Sequence, residues 1–380
     1  MLAVFVGLAS ASPPPVIGGT PAPPGRWPDA VALFSGTQPV CTGTLIAPDL
    51  VLSAEHCYGI THALVGVTDN SDRAGSIDVV ERFDHPDAPS TFDVSVFRLA
   101  SPASQAPRDL LVECLSDFYV DGATVTVVGF GYTEPFGPGQ PVLMEVDLPI
   151  DDADCSDLSR GCREAVSPGG ELVAGGDGLD SCIGDSGGPL YLDTGAGVFL
   201  AGVVSRGAFP ATEICGDGGI YVRADAIAPW LESATGVVLD RPDGCEGFNR
   251  PPSPTADPIE VTQGRSAAIT LEPNDPDSAD THTVRVVVPP ERGSVSSDLV
   301  FTAEPFQLGP DRVVLEVTDS GTPARSATIE VPIAVYPAGF LDDEIGEAPG
   351  GCACGTANEP VWTGWLRALV RKREILPNAR

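Results

Sequence analysis

Four histidines occur in the 380 residues of the chain, at positions 56, 62, 85 and 282. Any chemistry that needs an imidazole therefore has few places to be. The other reactive candidate is Ser186, set in the glycine turn Gly184-Asp185-Ser186-Gly187-Gly188-Pro189 with Cys182 just upstream. A serine hydroxyl is a weak nucleophile at its own pKa. It becomes useful when a histidine takes its proton and an acid holds that histidine's tautomer. His56 is the histidine set up for this role: the apolar run Leu50-Val51-Leu52 leads into Ser53-Ala54-Glu55-His56, and Cys57 follows. Alone, His56 reads equally well as a surface histidine, and a glycine-rich turn with a serine is a weak sign by itself. The two together carry the argument.

Read as a unit, these segments resemble the chymotrypsin–trypsin family. A Cys41–Cys57 bridge would bracket the histidine as it does there, with Cys41 opening Cys41-Thr42-Gly43-Thr44-Leu45-Ile46. The resemblance implies a peptide hydrolase with Ser186 as nucleophile and His56 as base. The chain order histidine, aspartate, serine points to Asp93 as the acid. Asp93 opens the apolar stretch Val94–Leu99, where it can be buried against the histidine; Asp84 and Asp87 open no such stretch and read as turn residues. The glycines let the backbone turn tightly, so that the amides of Gly184 and Ser186 can form an oxyanion hole.

The same resemblance assigns substrate binding. Asp180 would floor the primary pocket and favour Arg or Lys. Ser205-Arg206-Gly207 would pair with the substrate backbone, and Gly207 and Gly219 would be the pocket-wall glycines. Val16-Ile17-Gly18-Gly19 resembles a mature amino terminus, whose freed ammonium would pair with Asp185. Cys182–Cys215 would close the pocket loop and Cys155–Cys162 a short loop, which leaves Cys114 and Cys245 able to pair. Three departures stand out. Ser12-Pro13-Pro14-Pro15 holds no Arg or Lys for a trypsin-like activator, Arg206 stands where an aromatic is usual, and Glu55 replaces a small residue beside the histidine.

The elements that must position these groups read as short strands. Leu45–Leu52, Val94–Leu99, Ala123–Val128 and Val198–Val204 are apolar, strand-length and bounded by turn formers, and one helix is expected over Ala224–Ser233. The expected fold class is all-β: a two-barrel antiparallel domain over residues 16–235 with a C-terminal helix. A Pro- and Gly-rich linker over 236–254 joins it to a small β-sandwich over 255–337. The latter resembles bacterial immunoglobulin-like and cadherin-like modules, through Arg-Pro-Pro at entry, Asp275-Pro276-Asp277, and Val-Thr-Asp-Ser-Gly-Thr-Pro near its end. Asp275 and Asp277 read either as calcium ligands or as a solvated turn. Residues 1–11 read as a signal peptide, or the truncated end of a longer one, and 12–15 as a short pro-segment. The tail, 338–380, places Cys352 and Cys354 before an apolar stretch and a basic cluster. It reads either as a sorting signal that attaches the protein to a cell surface or as a plain amphipathic end.

Composition narrows the class. Acids outnumber bases 53 to 21, for a net charge of -32, which repels nucleic acid and anionic membrane. The ten cysteines show no paired CxxC, so disulfides in an oxidising compartment are expected and a zinc site is not. The sequence leads us to expect a secreted or cell-surface bacterial monomer acting on proteins or peptides, with no cofactor and no metal.

Overall fold

The computed structural model describes residues 16–131, 141–241 and 249–338. The expected signal peptide, pro-segment, Cys245 and the tail cysteines lie outside them. The chain divides into two compact units, 1–250 and 251–380.

In the first unit, a short strand β1 (Thr20–Pro21) precedes β2 (Ala30–Ser35), β3 (Gln38–Ala47), β4 (Leu50–Ser53), β5 (His62–Val65), β6 (Ile77–Asp84) and β7 (Ser95–Leu99). Strands β2 to β7 close a barrel in the order β2-β3-β4-β7-β6-β5. A second set follows: β8 (Thr124–Gly129), β9 (Met144–Asp152), β10 (Glu171–Ala174), β11 (Pro189–Asp193), β12 (Val198–Gly207) and β13 (Gly219–Arg223). These run β9-β10-β13-β12-β11-β8, and β8 pairs β9 to close the ring. Both barrels thus share one strand order.

The strands are apolar on both faces because each face has a core to meet. Val31, Leu33 and Val51 fill the first barrel, while their neighbours Ala30, Ala32, Leu50 and Leu52 point out of it. Val125, Val127 and Tyr221 fill the second barrel, while Val128 and Val222 point out. The outward residues meet one another in a shared core that also takes Ile227 and Leu231. These two come from the helix α1 (Ala224–Thr235), which ends at Gly236 in the left-handed region. The period-two alternation therefore sorts side chains between barrel interior and barrel interface. A buried polar clasp spans the interface. Asp29 accepts from Arg108 (2.6 and 3.1 Å) and from the Tyr191 hydroxyl (2.5 Å), and Trp27 stacks on Tyr191 at 4.3 Å.

One stretch corrects the sequence reading. Leu45–Leu52 is two strands, because Pro48 and Asp49 form the turn of a hairpin that pairs Thr44 with Leu52. Proline presets the turn and cannot donate to a ladder.

The second unit begins with β14 (Thr255–Ala256), β15 (Ile259–Thr262), β16 (Ser266–Ala268) and β17 (Leu271–Glu272). Then come β18 (Thr283–Val288), β19 (Gly293–Val295), β20 (Val300–Ala303), β21 (Gly309–Thr318) and β22 (Ser326–Tyr336). A four-stranded sheet, β15-β22-β21-β18, and a three-stranded sheet, β16-β20-β19, contribute to one apolar cluster that includes Leu315, Ile333 and Phe301. Both oxygens of Asp275 are engaged within their own neighbourhood, by the Asp277 amide (2.7 Å) and the His282 ring (2.8 Å).

Candidate active site

Strand β4 ends at Ser53, whose hydroxyl donates to the Thr42 carbonyl (2.8 Å) and so ties β4 to β3. A turn follows, closed by the Cys57 amide on the Ala54 carbonyl (3.2 Å), and it lifts His56 out of the barrel. The Cys41–Cys57 bridge, with Cα atoms 6.2 Å apart, pins that turn to β3. Asp93 sits just before β7 and is 3% exposed. It engages two nitrogens of His56: Nδ1 at 2.8 Å and the backbone amide at 3.1 Å. The Ser205 hydroxyl donates to the same carboxylate at 2.7 Å. Burial pushes the Asp93 carboxyl up. The hydrogen bond and charge of His56, with Ser205, outweigh burial and hold it below the usual range. Ser205 is aimed by a register shift between Val204 and Arg206 in the β12–β13 ladder, the usual work of a bulge.

Ser186 stands at the centre of two linked turns. The Asp185 amide reaches the Cys182 carbonyl (3.0 Å), and the Gly188 amide reaches the Asp185 carbonyl (2.7 Å). Two glycines are required here on steric grounds. Gly184 has φ +97°, and a β-carbon would lie 2.9 Å from the Gly131 Cα; at Gly187, φ +77°, it would lie 1.9 Å from Ser53 Oγ. The amides of Gly184 and Ser186 donate to no partner among the described residues, which leaves two free donors in one tight turn. The first barrel holds this loop through Thr42. Its amide donates to the Ser186 carbonyl (3.0 Å), and its hydroxyl donates to the Gly184 carbonyl (3.0 Å) and accepts from the Phe130 amide (3.2 Å). Sequence reasoning missed Thr42; its place between Cys41 and a glycine in the histidine-side motif was the available signal.

A cavity of about 160 Å³ opens beside Ser186, lined by Asp180, Ser205, Arg206, Gly207 and Ile214 among others. Asp180 is 3% exposed and accepts from the Gly216 amide (2.9 Å). Burial pushes its pKa up to about 6. Gly207 and Gly219 pair across β12 and β13. A β-carbon at 207 would meet nothing within 4 Å, whereas one at 219 would lie 3.2 Å from Asp180 Oδ1. The Cys182–Cys215 bridge closes the loop around this cavity, and Cys155–Cys162 closes a shorter one. Cys114 is also disulfide-bonded.

Arg206 turns its guanidinium onto Glu171, bonding Oε1 at 2.7 Å and Oε2 at 2.8 Å. Glu171 is wholly buried and is shared with Arg163 (2.8 Å). The residue noted as a departure, Arg206, is thus committed to a forked ion pair. Sequence reasoning missed Glu171 too.

Asp185 is wholly buried and accepts from the amides of Cys182 and Gly131, both at 2.8 Å. Burial raises its pKa to about 7 against the pull of those two donors. Val16 is buried as well, and the next residue, Ile17, bridges Asp180, whose amide donates to its carbonyl (3.2 Å). No helix among the described residues is long and apolar enough to cross a membrane.

Comparison with known proteins gives a consistent result. Residues 16–231 match the model of the family described as Trypsin. Human serine protease 56 is 31% identical over 254 residues, which is 60% of this chain and 40% of that protein. Mouse serine protease 56 is 31% identical over 236 residues, 57% and 38% of the two chains. The bovine suppressor of tumorigenicity 14 protein homolog is 28% identical over 249 residues, 58% and 28% respectively. The chain therefore spans two fifths or less of these curated relatives.

Proposed function

The chain belongs to the trypsin family, and we propose that it is a secreted serine endopeptidase that cleaves after Arg or Lys through an acyl-enzyme. One observation carries the reading. A single buried carboxylate, Asp93, fixes both His56 and Ser205, and Ser205 lines the same cavity as Ser186 and Asp180.

The hydrogen bonds to Asp93 support the following chemistry. With Nδ1–H committed to Asp93, the tautomer leaves Nε2 free to accept the Ser186 proton. The Ser186 oxygen attacks the scissile carbonyl, and the free amides of Gly184 and Ser186 receive the oxyanion. His56 then gives its proton to the leaving amine. Water enters, loses a proton to the same nitrogen and attacks the ester carbonyl; as the bond to Ser186 breaks, His56 returns that proton to the Ser186 oxygen and the acid leaves. An arginine or lysine side chain fits a pocket walled by Gly207 and Gly219 and floored by Asp180, where its charge offsets the cost of a buried carboxylate. Cleavage before Val16 would free an α-ammonium, and pairing with Asp185 would give that buried acid a counter-charge. The Cys41–Cys57, Cys155–Cys162 and Cys182–Cys215 bridges suit export to an oxidising compartment. The second unit would act as an appended immunoglobulin- or cadherin-like module.

The test is direct. One portion of chain processed to begin at Val16 is treated with a fluorophosphonate, and a separate, untreated portion is offered a peptide library. Labelling at Ser186 and cuts after Arg or Lys are expected. An unlabelled, correctly processed protein would remove the protease reading, and cuts after aromatic residues would remove the role given to Asp180.

A further inference from the structure

Arg82, on β6, reaches the carbonyls of both sequence neighbours of His56. Its Nη1 donates to the Cys57 carbonyl (3.0 Å) and its Nη2 to the Glu55 carbonyl. The same Nη2 donates to Ser95 Oγ (3.2 Å) on β7, two residues after Asp93. Ser95 in turn donates to Asp84 (2.6 Å), which also takes Arg82 Nε. One guanidinium thus ties together the turn that carries the histidine and the strand that follows the aspartate. Its central carbon lies 5.1 Å from the Tyr58 ring centroid and 5.5 Å from that of Phe97.

Glu55 supplies the counter-charge. Its carboxylate lies 3.8 Å from Arg82 Nη2, is 8% exposed as a residue, and accepts the Tyr58 hydroxyl at 2.8 and 3.0 Å. The acid beside the histidine therefore has a partner 27 residues away that also binds its own backbone carbonyl.

We propose that Arg82 is a positioning residue for the His56–Asp93 pair and that Glu55 holds Arg82 in place. The proposal rests on reading these two residues as the reacting pair. The physical reason is the fork. A guanidinium presents several donors in one rigid plane and can hold two carbonyls at a set spacing, whereas an ammonium is a point charge on a flexible stem. Without the fork the 55–57 turn gains freedom, and a displacement of about 1 Å at a reacting group costs on the order of a hundredfold in rate.

The experiment uses the processed chain with Arg82→Met, Arg82→Lys, Glu55→Ala and the Arg82→Met/Glu55→Ala double variant. It reads kcat and KM on a small arginine ester, the affinity for an arylamidine, and Tm. Arg82→Met is expected to lower kcat by about 30- to 100-fold, with KM and amidine affinity within about twofold of wild type. Arg82→Lys is expected to recover part of that loss. Glu55→Ala alone should cost only a few-fold, and it should add little to Arg82→Met, since the two act through one contact. A kcat for Arg82→Lys and Arg82→Met equal to wild type would overturn the proposal, as would parallel losses of kcat, amidine affinity and Tm. Failure of fluorophosphonate to label the wild type would remove the protease reading and this inference together. A labelled wild type with unaffected Arg82 variants would remove this inference alone.

Discussion

Thr42 Oγ1 lies 3.0 Å from the Gly184 carbonyl oxygen and donates to it, so a side chain of the first barrel holds the middle of the loop that carries Ser186. The same oxygen accepts the buried Phe130 amide. Thr42→Val keeps the shape and removes both bonds, leaving a carbonyl and an amide without partners. The expected loss of stability is about 1–3 kcal/mol for each stranded group. The Gly184–Asp185 peptide is flanked by the two free amides, so kcat should fall by about tenfold while KM changes little. Thr42→Ser should behave as wild type. A Thr42→Val enzyme with wild-type kcat would show that the loop holds its shape without the barrel.

Gly219 stands beside the Asp180 carboxylate. A β-carbon there would sit 3.2 Å from Asp180 Oδ1 and 3.1 Å from the Tyr221 hydroxyl, so Gly219→Val would place methyl groups on the pocket floor. Its kcat/KM on an arginine ester should drop by about a hundredfold or more. Hydrolysis of an alanine ester should fall far less, because a short side chain never reaches the floor. Equal losses on both esters would mean that the cavity beside Ser186 does not receive the substrate side chain.

How much of this was legible in the chain depends on distance along it. Ser186, His56 and Asp93 could be picked out because local demands surround each one: glycines at positive φ, a cysteine next in sequence, an apolar strand just after. The helix was placed at Ala224 for the same reason, and Pro48 with Asp49 was a turn in plain view. The contacts that lock the site are different. Glu55 meets Arg82, Glu171 meets Arg206, and Thr42 meets Gly184, pairs that are 27, 35 and 142 residues apart. Which side chain stands opposite which is decided by barrel closure and register. Arg82 lies on a strand made only of half-buried and exposed residues, so its sequence context reads as an ordinary wet edge.

Asp180 should make cation binding depend on pH. Burial raises its pKa to about 6 against the pull of the Gly216, Ser181 and Gly218 amides. Only the ionised form attracts a cation. The dissociation constant of an arylamidine, measured by calorimetry between pH 4.5 and 8, should be flat above about 7. It should weaken by about tenfold per pH unit well below 6. Asp180→Asn should bind weakly at every pH. A flat profile for the wild type would mean that the carboxylate is not what the amidine meets.

Asp185 should tie stability to processing. In the chain described here its carboxyl is wholly buried with two amide donors, and burial lifts its pKa from 3.8 to about 7. The folded state therefore holds this proton more tightly than the unfolded chain does. The stability that protonation supplies is complete below about pH 4 and is lost as pH rises through about 7, an amount on the order of 4 kcal/mol. Urea unfolding of protein that still carries residues before Val16 should show this decline between pH 4 and 7, and Asp185→Asn should remove it. After cleavage, an α-ammonium at Val16 that reaches Asp185 would stabilise the charged form and draw the pKa down, so the processed protein should keep its stability across the same window. A processed protein that declines as steeply as the precursor would show that the new terminus never pairs with Asp185. Activity in that material would then have to arise without the ion pair.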